Sequence, residues 1–231
     1  MQIKIPYTPR KHQAFLHREI SRFRWNVLVC HRRFGKTVCM INHLIRSALL
    51  SKHKNPRFAY IAPTFKQAKS IAWDYMKQFT AKIPHTKFNE TELRVDLPNG
   101  SRITLLGSEN SDGLRGIYLD GCVIDEYANV NERLFPEIIR PALSDRKGYC
   151  VFIGTPQGMN NNFYELYQHA QGAEDWFNYK AKASETKIVD EEELTKAKEV
   201  MGDKKYMQEF ECDWIANIEG AIYADVLAKM E

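Results

Sequence analysis

CHRRFGKT, which occupies residues 30–37, stands between an apolar run at residues 26–30 and a segment with helical periodicity at residues 37–51. A phosphate-binding loop has the pattern GxxxxGK[ST] and joins a strand to a helix in the same way. Only the first glycine is missing, because Cys30 stands in its place. The junction therefore predicts a nucleotide site lined by the whole loop: Cys30, His31, Arg32, Arg33, Phe34, Gly35, Lys36 and Thr37.

Two residues of this loop have roles that follow from its chemistry. Lys36 is expected to reach the terminal phosphates, and the hydroxyl of Thr37 is expected to hold Mg²⁺. Arg33 is placed in the loop without a role of its own. The loop alone would leave a chance resemblance open, since short glycine-lysine-threonine segments are common.

A second motif supports the first. Cys122-Val123-Ile124 is an apolar strand that ends in Asp125 and Glu126. The strand end would bring Asp125 to the Mg²⁺ beside the loop, and Glu126 could polarise the attacking water. A carboxylate directly after the metal-binding aspartate favours a hydrolase over a kinase. The alternative is a strand that ends in acids at the surface.

Two further segments could complete the site. Gly154-Thr155-Pro156 follows the next apolar strand, and its threonine could sense the terminal phosphate. Near the N-terminus, Gln13 could pair with the edge of adenine, and either Tyr7 or Arg10 could stack on the ring. The alternatives are an ordinary turn for the first segment, and for the second a helix start with Thr8 as N-cap and Pro9 at the first helical position.

Length and composition fit one soluble domain, or one domain with a small appendage, in 231 residues. No apolar run reaches the ~18 residues of a membrane span, and the N-terminus lacks the apolar core of a secretory signal, so no membrane partner is expected. The five cysteines form no CxxC pair, which indicates reduced thiols in a cytosolic protein.

The charge is uneven along the chain. The net charge is +4, yet residues 1–60 hold thirteen lysines and arginines against a single acid, Glu19. A basic N-terminal third suits nucleotide phosphates, nucleic acid or both, and a solvated basic face is the equally open alternative.

The alternation of apolar runs and helical stretches predicts an α/β fold of the P-loop NTPase class, with a mostly parallel central sheet flanked by helices. Pro98-Asn99-Gly100 predicts a hairpin turn between two of the strands. We expect an ATPase core over residues 1–174 and a small lid over residues 175–231. The predicted strands are residues 26–30, 57–62, 93–97, 102–106, 121–124, 149–153 and 176–183, and the predicted helices are residues 37–51, 66–82, 190–201 and 204–212.

Taken together, TPRKHQ, CHRRFGKT, IAPTFKQAK, LRGIYLDGCVIDEYANV and FIGTPQG resemble the ATPase domain of a large terminase subunit, the motor that packages viral DNA. The resemblance covers nearly the whole chain. It implies an additional-strand, RecA-like core that binds ATP and Mg²⁺. It also implies that Arg32 contacts the γ-phosphate in cis, and that Arg115 resembles an arginine finger supplied in trans to a neighbouring subunit. For Arg115, a local ion pair with Asp112 or Asp120 is the alternative.

The family resemblance also implies partners and location. These are double-stranded DNA, a portal protein, a small terminase subunit and a homo-oligomeric ring, commonly a pentamer, in the host cytoplasm at the procapsid portal vertex and not in the mature virion. The family carries a C-terminal nuclease domain, whose carboxylate cluster is not recognisable here, so we expect this chain to be a fragment that continues beyond residues 219–223. DNA contacts are expected from Lys66, Lys69, Arg94 and Arg102, with surface solubility as the alternative.

Three other interpretations remain open at the level of sequence. A helicase-like translocase would share the core, although a second RecA-like domain is not recognisable. A nucleotide-gated assembly module that does not hydrolyse ATP is disfavoured by Glu126. A P-loop kinase is disfavoured because no acceptor pocket or arginine-rich lid is evident after Gly158.

Overall fold

The computed structural model of the chain describes residues 5–109 and 114–215, and the strands of this part form one eight-stranded sheet. In chain order the strands are β1 (Trp25–Cys30), β2 (Arg57–Ala62), β3 (Lys87–Asn89), β4 (Arg94–Asp96), β5 (Arg102–Gly107), β6 (Gly121–Asp125), β7 (Tyr149–Gly154) and β8 (Trp176–Ala181). Their spatial order is β3-β4-β5-β2-β6-β7-β1-β8. The six strands from β5 to β8 in this order are parallel, and β4 and β3 extend one edge in antiparallel fashion.

Helices cover both faces of the sheet. They are α1 (Lys11–Ile20), α2 (Lys36–Leu50), α3 (Phe65–Gln67), α4 (Asp74–Thr80), α5 (Arg140–Ala142), α6 (Asn162–Gly172), α7 (Ala183–Thr186), α8 (Glu191–Met201) and α9 (Asp203–Phe210). A π-helical segment, Ala68–Trp73, joins α3 to α4, and a second one, Leu134–Ile139, precedes α5. Within the described ranges, no helix has the length and apolar character needed to cross a membrane.

The apolar strand runs are explained by burial on both sides. Every residue of β1 and of β6 is buried. On one face they pack against α1, α2 and α4 through side chains such as Leu16, Leu44 and Met76. On the other face they pack against α6 and the second π segment through Phe163 and Ile138. Each fully buried aliphatic or aromatic side chain contributes roughly 1.5–3 kcal/mol, so this double-sided core fixes the register of the central strands.

The sheet order places the predicted site at one edge. Strand β7 lies between β6 and β1 and pairs with both in parallel. The loop after β1, the end of β6 and the end of β7 therefore lie next to one another at the carboxyl edge of the sheet. This order is that of an additional-strand P-loop core, and the predicted fold class is confirmed.

Several predicted elements are shifted in the structure. The helix predicted over residues 66–82 is interrupted by the first π segment, and α9 begins and ends before its predicted bounds. Helix α1 begins at Lys11 with Arg10 as its N-cap, so Thr8 and Pro9 do not start the helix. The hairpin is confirmed, because β4 and β5 pair in antiparallel fashion on either side of Gly100.

The C-terminal part differs most from expectation. The strand assigned to the lid, β8, pairs with β1 along its full length and is an edge strand of the central sheet. Beyond it, α7, α8 and α9 enclose a small separate cluster of Ala183, Leu194 and Phe210. The lid as a moving subdomain stays a prediction, and its last residues, including residues 219–223, lie outside the described part of the chain.

Candidate active site

The loop between β1 and α2 passes twice through left-handed backbone, at Arg33 (φ 70°) and at Gly35 (φ 86°). Glycine is required at position 35 for two reasons. Its left-handed backbone disfavours other residues, and a Cβ there would lie only 3.0 Å from Nε2 of Gln13. Gly35 is the N-cap of α2, and no side chain caps this helix start. The first-turn N–H groups, which have no intrahelical acceptor, are therefore available to an anion.

Lys36 connects the three segments that meet at the sheet edge. Its ammonium group donates to the Thr155 hydroxyl at 2.9 Å and to the Cys30 carbonyl at 3.3 Å. A carboxylate oxygen of Glu126 lies 4.0 Å from the same nitrogen, and the Lys36 side chain is only 12% exposed. The ammonium group is thus already positioned among the loop, the β6 end and the β7 end.

Asp125 is buried at the end of β6, and Tyr60 of β2 holds it. The Tyr60 hydroxyl donates to one Asp125 oxygen, and the Thr37 side chain is near enough to oppose the rise in the pKa of that hydroxyl that burial causes. Burial raises the pKa of Asp125, while the Tyr60 bond and the charge of Lys36 oppose that rise. Tyr60 thereby joins the two predicted Mg²⁺ ligands, Thr37 and Asp125. Hydroxyl and carboxylate oxygens are the hard ligands that Mg²⁺ prefers, so the residues present fit this ion.

Glu126 follows with left-handed backbone (φ 46°), which turns the chain sharply after β6. Burial raises the pKa of Glu126, the charge of Lys36 lowers it, and the charges of Asp125 and Glu209 raise it further. A carboxylate whose pKa is raised in this way is a stronger base, which is the property required to take a proton from water.

The segment after β7 lies against both motifs. The Thr155 hydroxyl lies 3.4 Å from the Cys30 carbonyl, in addition to its bond from Lys36. A Cβ on Gly154 would lie 3.5 Å from Cα of Glu126 and 3.2 Å from the ring of Phe163. The absence of a side chain at Gly154 lets the Phe163 ring of α6 pack closely against the end of β7.

Two of the three N-terminal residues predicted at the site reach the loop. The Gln13 amide donates to the Gly35 carbonyl at 3.3 Å, and the Arg10 guanidinium donates to the Phe34 carbonyl at 3.4 Å. Tyr7 is placed differently, because its hydroxyl hydrogen-bonds His17 at 2.9 Å and its ring packs against Phe79.

The first half of the loop is tied to the C-terminal helices. The His31 ring is fully buried and hydrogen-bonds the Thr186 hydroxyl at 2.8 Å, and burial lowers its pKa. The Arg32 N–H donates to the Glu209 carbonyl at 2.7 Å. The Arg32 guanidinium lies 4.0 Å from the Glu209 carboxylate and is 61% exposed. Arg32 is thus at the edge of the loop and held by α9.

Arg115 lies on the chain that leads into β6, with its guanidinium 3.6 Å from the Glu137 carboxylate. The local partner considered from sequence, Asp120, instead binds His53 and Arg146. The other, Asp112, lies outside the described residues. The Arg115 side chain is 58% exposed, so it is accessible from outside this chain.

The four residues predicted to contact DNA fall into two pairs. Lys66 and Lys69 are exposed on α3 and on the first π segment. Arg94 and Arg102 both bind Asp96, at 3.1 Å and 2.6 Å. Despite partial burial, these two ion pairs lower the pKa of Asp96. The two arginines are therefore engaged within the hairpin, and the lysines are the more available pair.

Comparison with known proteins identifies the family. Residues 29–226 match the family described as terminase large subunit, T4likevirus-type, N-terminal. This chain belongs to the large terminase family. The large terminase subunits of Thermus phage G20c and Thermus virus P23-45 are each 27% identical to it over 180 residues, which cover 70% of this chain and 36% of each relative. The chain thus spans about a third of the length of these relatives.

Solved structures of terminases share the fold. The large terminase ATPase domain of Thermus phage P74-26 superposes with a TM-score of 0.76 and 22% identity, covering 91% of this chain and 96% of that one. The large terminase of a second thermophilic bacteriophage, in complex with ATP-gamma-S, gives a TM-score of 0.74 at 14% identity, covering 89% and 52%. At these identities the similarity establishes the fold of this terminase chain.

Sequence reasoning missed three residues that the fold brings to the site: Tyr60, Gln208 and Glu209. Tyr60 could have been suspected, because a tyrosine in a fully buried strand requires a partner for its hydroxyl. Gln208 and Glu209 gave no such signal, since they stand in a highly charged helix whose pattern is typical of a solvent-exposed element. Only the packing of α9 against the loop after β1 brings them in.

Proposed function

We propose that this terminase chain is an ATP-hydrolysing motor domain that drives double-stranded viral DNA into a procapsid. The observation that carries the proposal is the meeting of Lys36, Thr155 and Glu126 at one sheet edge. Membership of the large terminase family supports the same function, and a terminase of the same fold was solved in complex with ATP-gamma-S.

The nucleotide would be held by the loop after β1. The first-turn N–H groups of α2 and the Lys36 ammonium receive the phosphates, and Gln13 and Arg10 support the loop from behind through its carbonyls. Thr37 and Asp125 are the residues that would hold Mg²⁺. When bound, this ion neutralises charge that develops on the phosphate oxygens. ATP over GTP is proposed from the family and from Gln13, whose amide would pair with adenine after leaving the Gly35 carbonyl and the Arg10 N–H.

Hydrolysis would use Glu126 as the base. Its carboxylate orients the attacking water and accepts a proton from it, and burial among low-dielectric surroundings strengthens that base. Lys36 stabilises the charge that accumulates on the transferred phosphoryl group. Arg32 would add a second positive charge in cis at the γ-phosphate, and Thr155 would report the state of that phosphate through Gly154 and Pro156 to the rest of the chain.

Assembly would complete the site. Arg115 is exposed and would enter the nucleotide site of a neighbouring subunit in a homo-oligomeric ring, commonly a pentamer. The ring would act in the host cytoplasm at the portal vertex, with a portal protein and a small terminase subunit. Lys66 and Lys69 are proposed to contact DNA phosphates, and Arg94 and Arg102 to do so after leaving Asp96. The family's nuclease activity would belong to a separate domain.

The proposal is tested by measuring ATP turnover per subunit over a wide range of protein concentration, with Arg115→Ala beside the wild type. Arg133→Ala is the matched control, because Arg133 is exposed and lies near the same Glu137 carboxylate. We expect turnover per subunit to rise with concentration in the wild type and the control, and to stay low in Arg115→Ala. Absence of turnover at every concentration would contradict the proposed hydrolase.

A further inference from the structure

Helix α9 is bound to both loops that surround the candidate site. The Gln208 amide, which is fully buried, donates to the Pro156 carbonyl at 2.7 Å. The next residue, Glu209, accepts the Arg32 N–H on its carbonyl at 2.7 Å. Adjacent residues of one helix thus contact the loop after β1 and the segment after β7. A shift of either loop would therefore displace α9 or break one of these two hydrogen bonds.

The Glu209 side chain adds a charge to this contact. Its carboxylate is only 12% exposed, and its two oxygens face two cations. One oxygen lies 3.1 Å from the Lys205 ammonium, and the other lies 4.0 Å from the Arg32 guanidinium. The Glu209 carboxylate is therefore held between Lys205 and Arg32 at the edge of the candidate site.

Arg32 is the less tightly held partner in this arrangement. Its guanidinium is 61% exposed and makes a loose contact with Glu209, whereas its backbone N–H is firmly bound. A phosphate offers a guanidinium two parallel hydrogen bonds and more charge than a carboxylate. The terminal phosphate of a bound triphosphate and the Glu209 carboxylate would therefore compete for Arg32. A diphosphate lacks that terminal group and would compete less.

We propose that Glu209 is a positioning residue for Arg32: it holds the guanidinium at the edge of the site and gives it up only to a nucleoside triphosphate. The inference rests on the proposed function, since it assigns Arg32 to the terminal phosphate. It makes Glu209 a residue that sets discrimination between triphosphate and diphosphate. The Arg32 N–H and Gln208 would keep α9 on both loops when the guanidinium leaves, so the change is confined to the Arg32 and Glu209 side chains.

The test is a binding measurement. Isothermal titration gives dissociation constants for ATP-gamma-S and ADP, both with Mg²⁺, in the wild type and in Glu209→Gln. Removal of the carboxylate ends the competition, so the ratio of the ADP constant to the ATP-gamma-S constant should rise about fivefold, as for a partly screened ion pair. In an Arg32→Ala background the same substitution should leave the ratio unchanged.

Two companion variants keep the test decisive. Glu211→Gln is the matched control, because Glu211 lies two positions further along and hydrogen-bonds Ser184. Its ratio should equal that of the wild type. Lys205→Met alters an exposed side chain and frees the second Glu209 oxygen to hold Arg32, so the ratio should fall about threefold. This variant answers the question even where Glu209→Gln folds poorly.

The outcomes separate the inference from the proposed function. If the wild type binds ATP-gamma-S but neither Glu209→Gln nor Lys205→Met changes the ratio, Glu209 does not position Arg32, and the proposed function is untouched. An equal change in the Arg32→Ala background would also overturn the inference, because the effect would then not pass through Arg32. If the wild type binds neither nucleotide, both proposals fail.

Discussion

At the scale of single residues, the site depends on groups that hold the proposed catalytic side chains in place. The Tyr60 hydroxyl donates to Asp125 and lies near the Thr37 side chain. Burial raises the pKa of Tyr60 well above its ordinary value, so the hydroxyl keeps its proton and remains a donor. A buried carboxylate without such a donor would be costly. Tyr60 therefore both stabilises β6 against β2 and fixes the two proposed ligands of Mg²⁺.

Tyr60→Phe removes this hydroxyl and nothing else. We expect binding of ATP-gamma-S with Mg²⁺ to weaken about fivefold and the free energy of unfolding to fall by about 1–2 kcal/mol, because a buried acceptor loses its donor. Titration calorimetry and urea unfolding measure the two effects. Tyr149→Phe is the control, since its hydroxyl binds Ser47. Tyr149→Phe should lower the free energy of unfolding without weakening nucleotide binding. If it weakened binding as much as Tyr60→Phe does, the role given to Tyr60 would be contradicted.

Gly154 is a second residue whose role is positional. In Gly154→Ala the new methyl group would press on the Phe163 ring, 3.2 Å away, beside the turn that carries Glu126. We expect ATP turnover to fall about tenfold and unfolding free energy to drop by about 1 kcal/mol, as for overpacking of a tight contact. Gly172→Ala, where nothing lies within 4 Å, is the comparison. Wild-type turnover in Gly154→Ala would show that close packing of Phe163 against the end of β7 is not needed.

At the scale of elements, burial decides what the sequence could predict. Strands β1, β2, β6 and β7 are covered on both faces and appear as continuous apolar runs, so they were predicted nearly to the residue. Strand β8, WFNYKA, is an edge strand that is only partly buried. Its mixed pattern therefore suggested a separate lid. The π segment Ala68–Trp73 has a helical composition, and no local pattern distinguishes it from an α-helix.

The site follows the same division. Lys36, Thr37 and Asp125 are predictable from the sequence, because each belongs to a motif that stands at a fixed spacing from the end of its own strand. Residues joined only by tertiary packing were not. Tyr60 contacts Asp125 from a neighbouring strand, and Glu209 reaches Arg32 from a helix far along the chain. The mixed charge of α9, with two acids and two lysines, concealed its contact with the basic loop.

The packing of α1 on α2 contains a pair of histidines that makes stability depend on pH. The rings of His17 and His43 stack with their Nδ1 atoms 3.1 Å apart. Burial lowers the pKa of His17 to about 4 and that of His43 to about 3, and the charge of Arg46 adds to both shifts. The unfolded chain therefore binds more protons than the folded one between these values and ~6.5.

Stability should accordingly be complete above about pH 6.5 and fall as the pH drops toward 4, with His43 alone accounting for roughly 2 kcal/mol at pH 5. Urea unfolding at pH 7.5 and pH 5 measures the difference. His43→Asn should show a smaller loss between the two pH values than the wild type. His85→Asn changes an exposed side chain and should lose as much stability between the two pH values as the wild type does. An identical pH dependence in all three proteins would exclude the buried pair as the cause.

At the scale of the whole molecule, a basic N-terminal half supplies the nucleotide loop, and an acidic C-terminal part rests against it. Thr186 hydrogen-bonds His31, and the Glu209 carboxylate faces Arg32. The C-terminal helices therefore contact the loop through a hydrogen bond and an ion pair. The carboxyl ends of β1, β6 and β7 bring Lys36, Glu126 and Thr155 together. ATP hydrolysis centred on Glu126 is the claim on which motor function, trans completion and the role of α9 all depend.

The most direct test is phosphate release from ATP by Glu126→Gln beside the wild type, with Glu132→Gln as control. Glu132 is an exposed acid six positions further along the chain. We expect Glu126→Gln to bind ATP-gamma-S within about threefold of the wild type, and to release phosphate at least about 100-fold more slowly, because a general base supplies ~10²–10⁴ of the rate. Glu132→Gln should match the wild type. Undiminished turnover in Glu126→Gln would contradict the account.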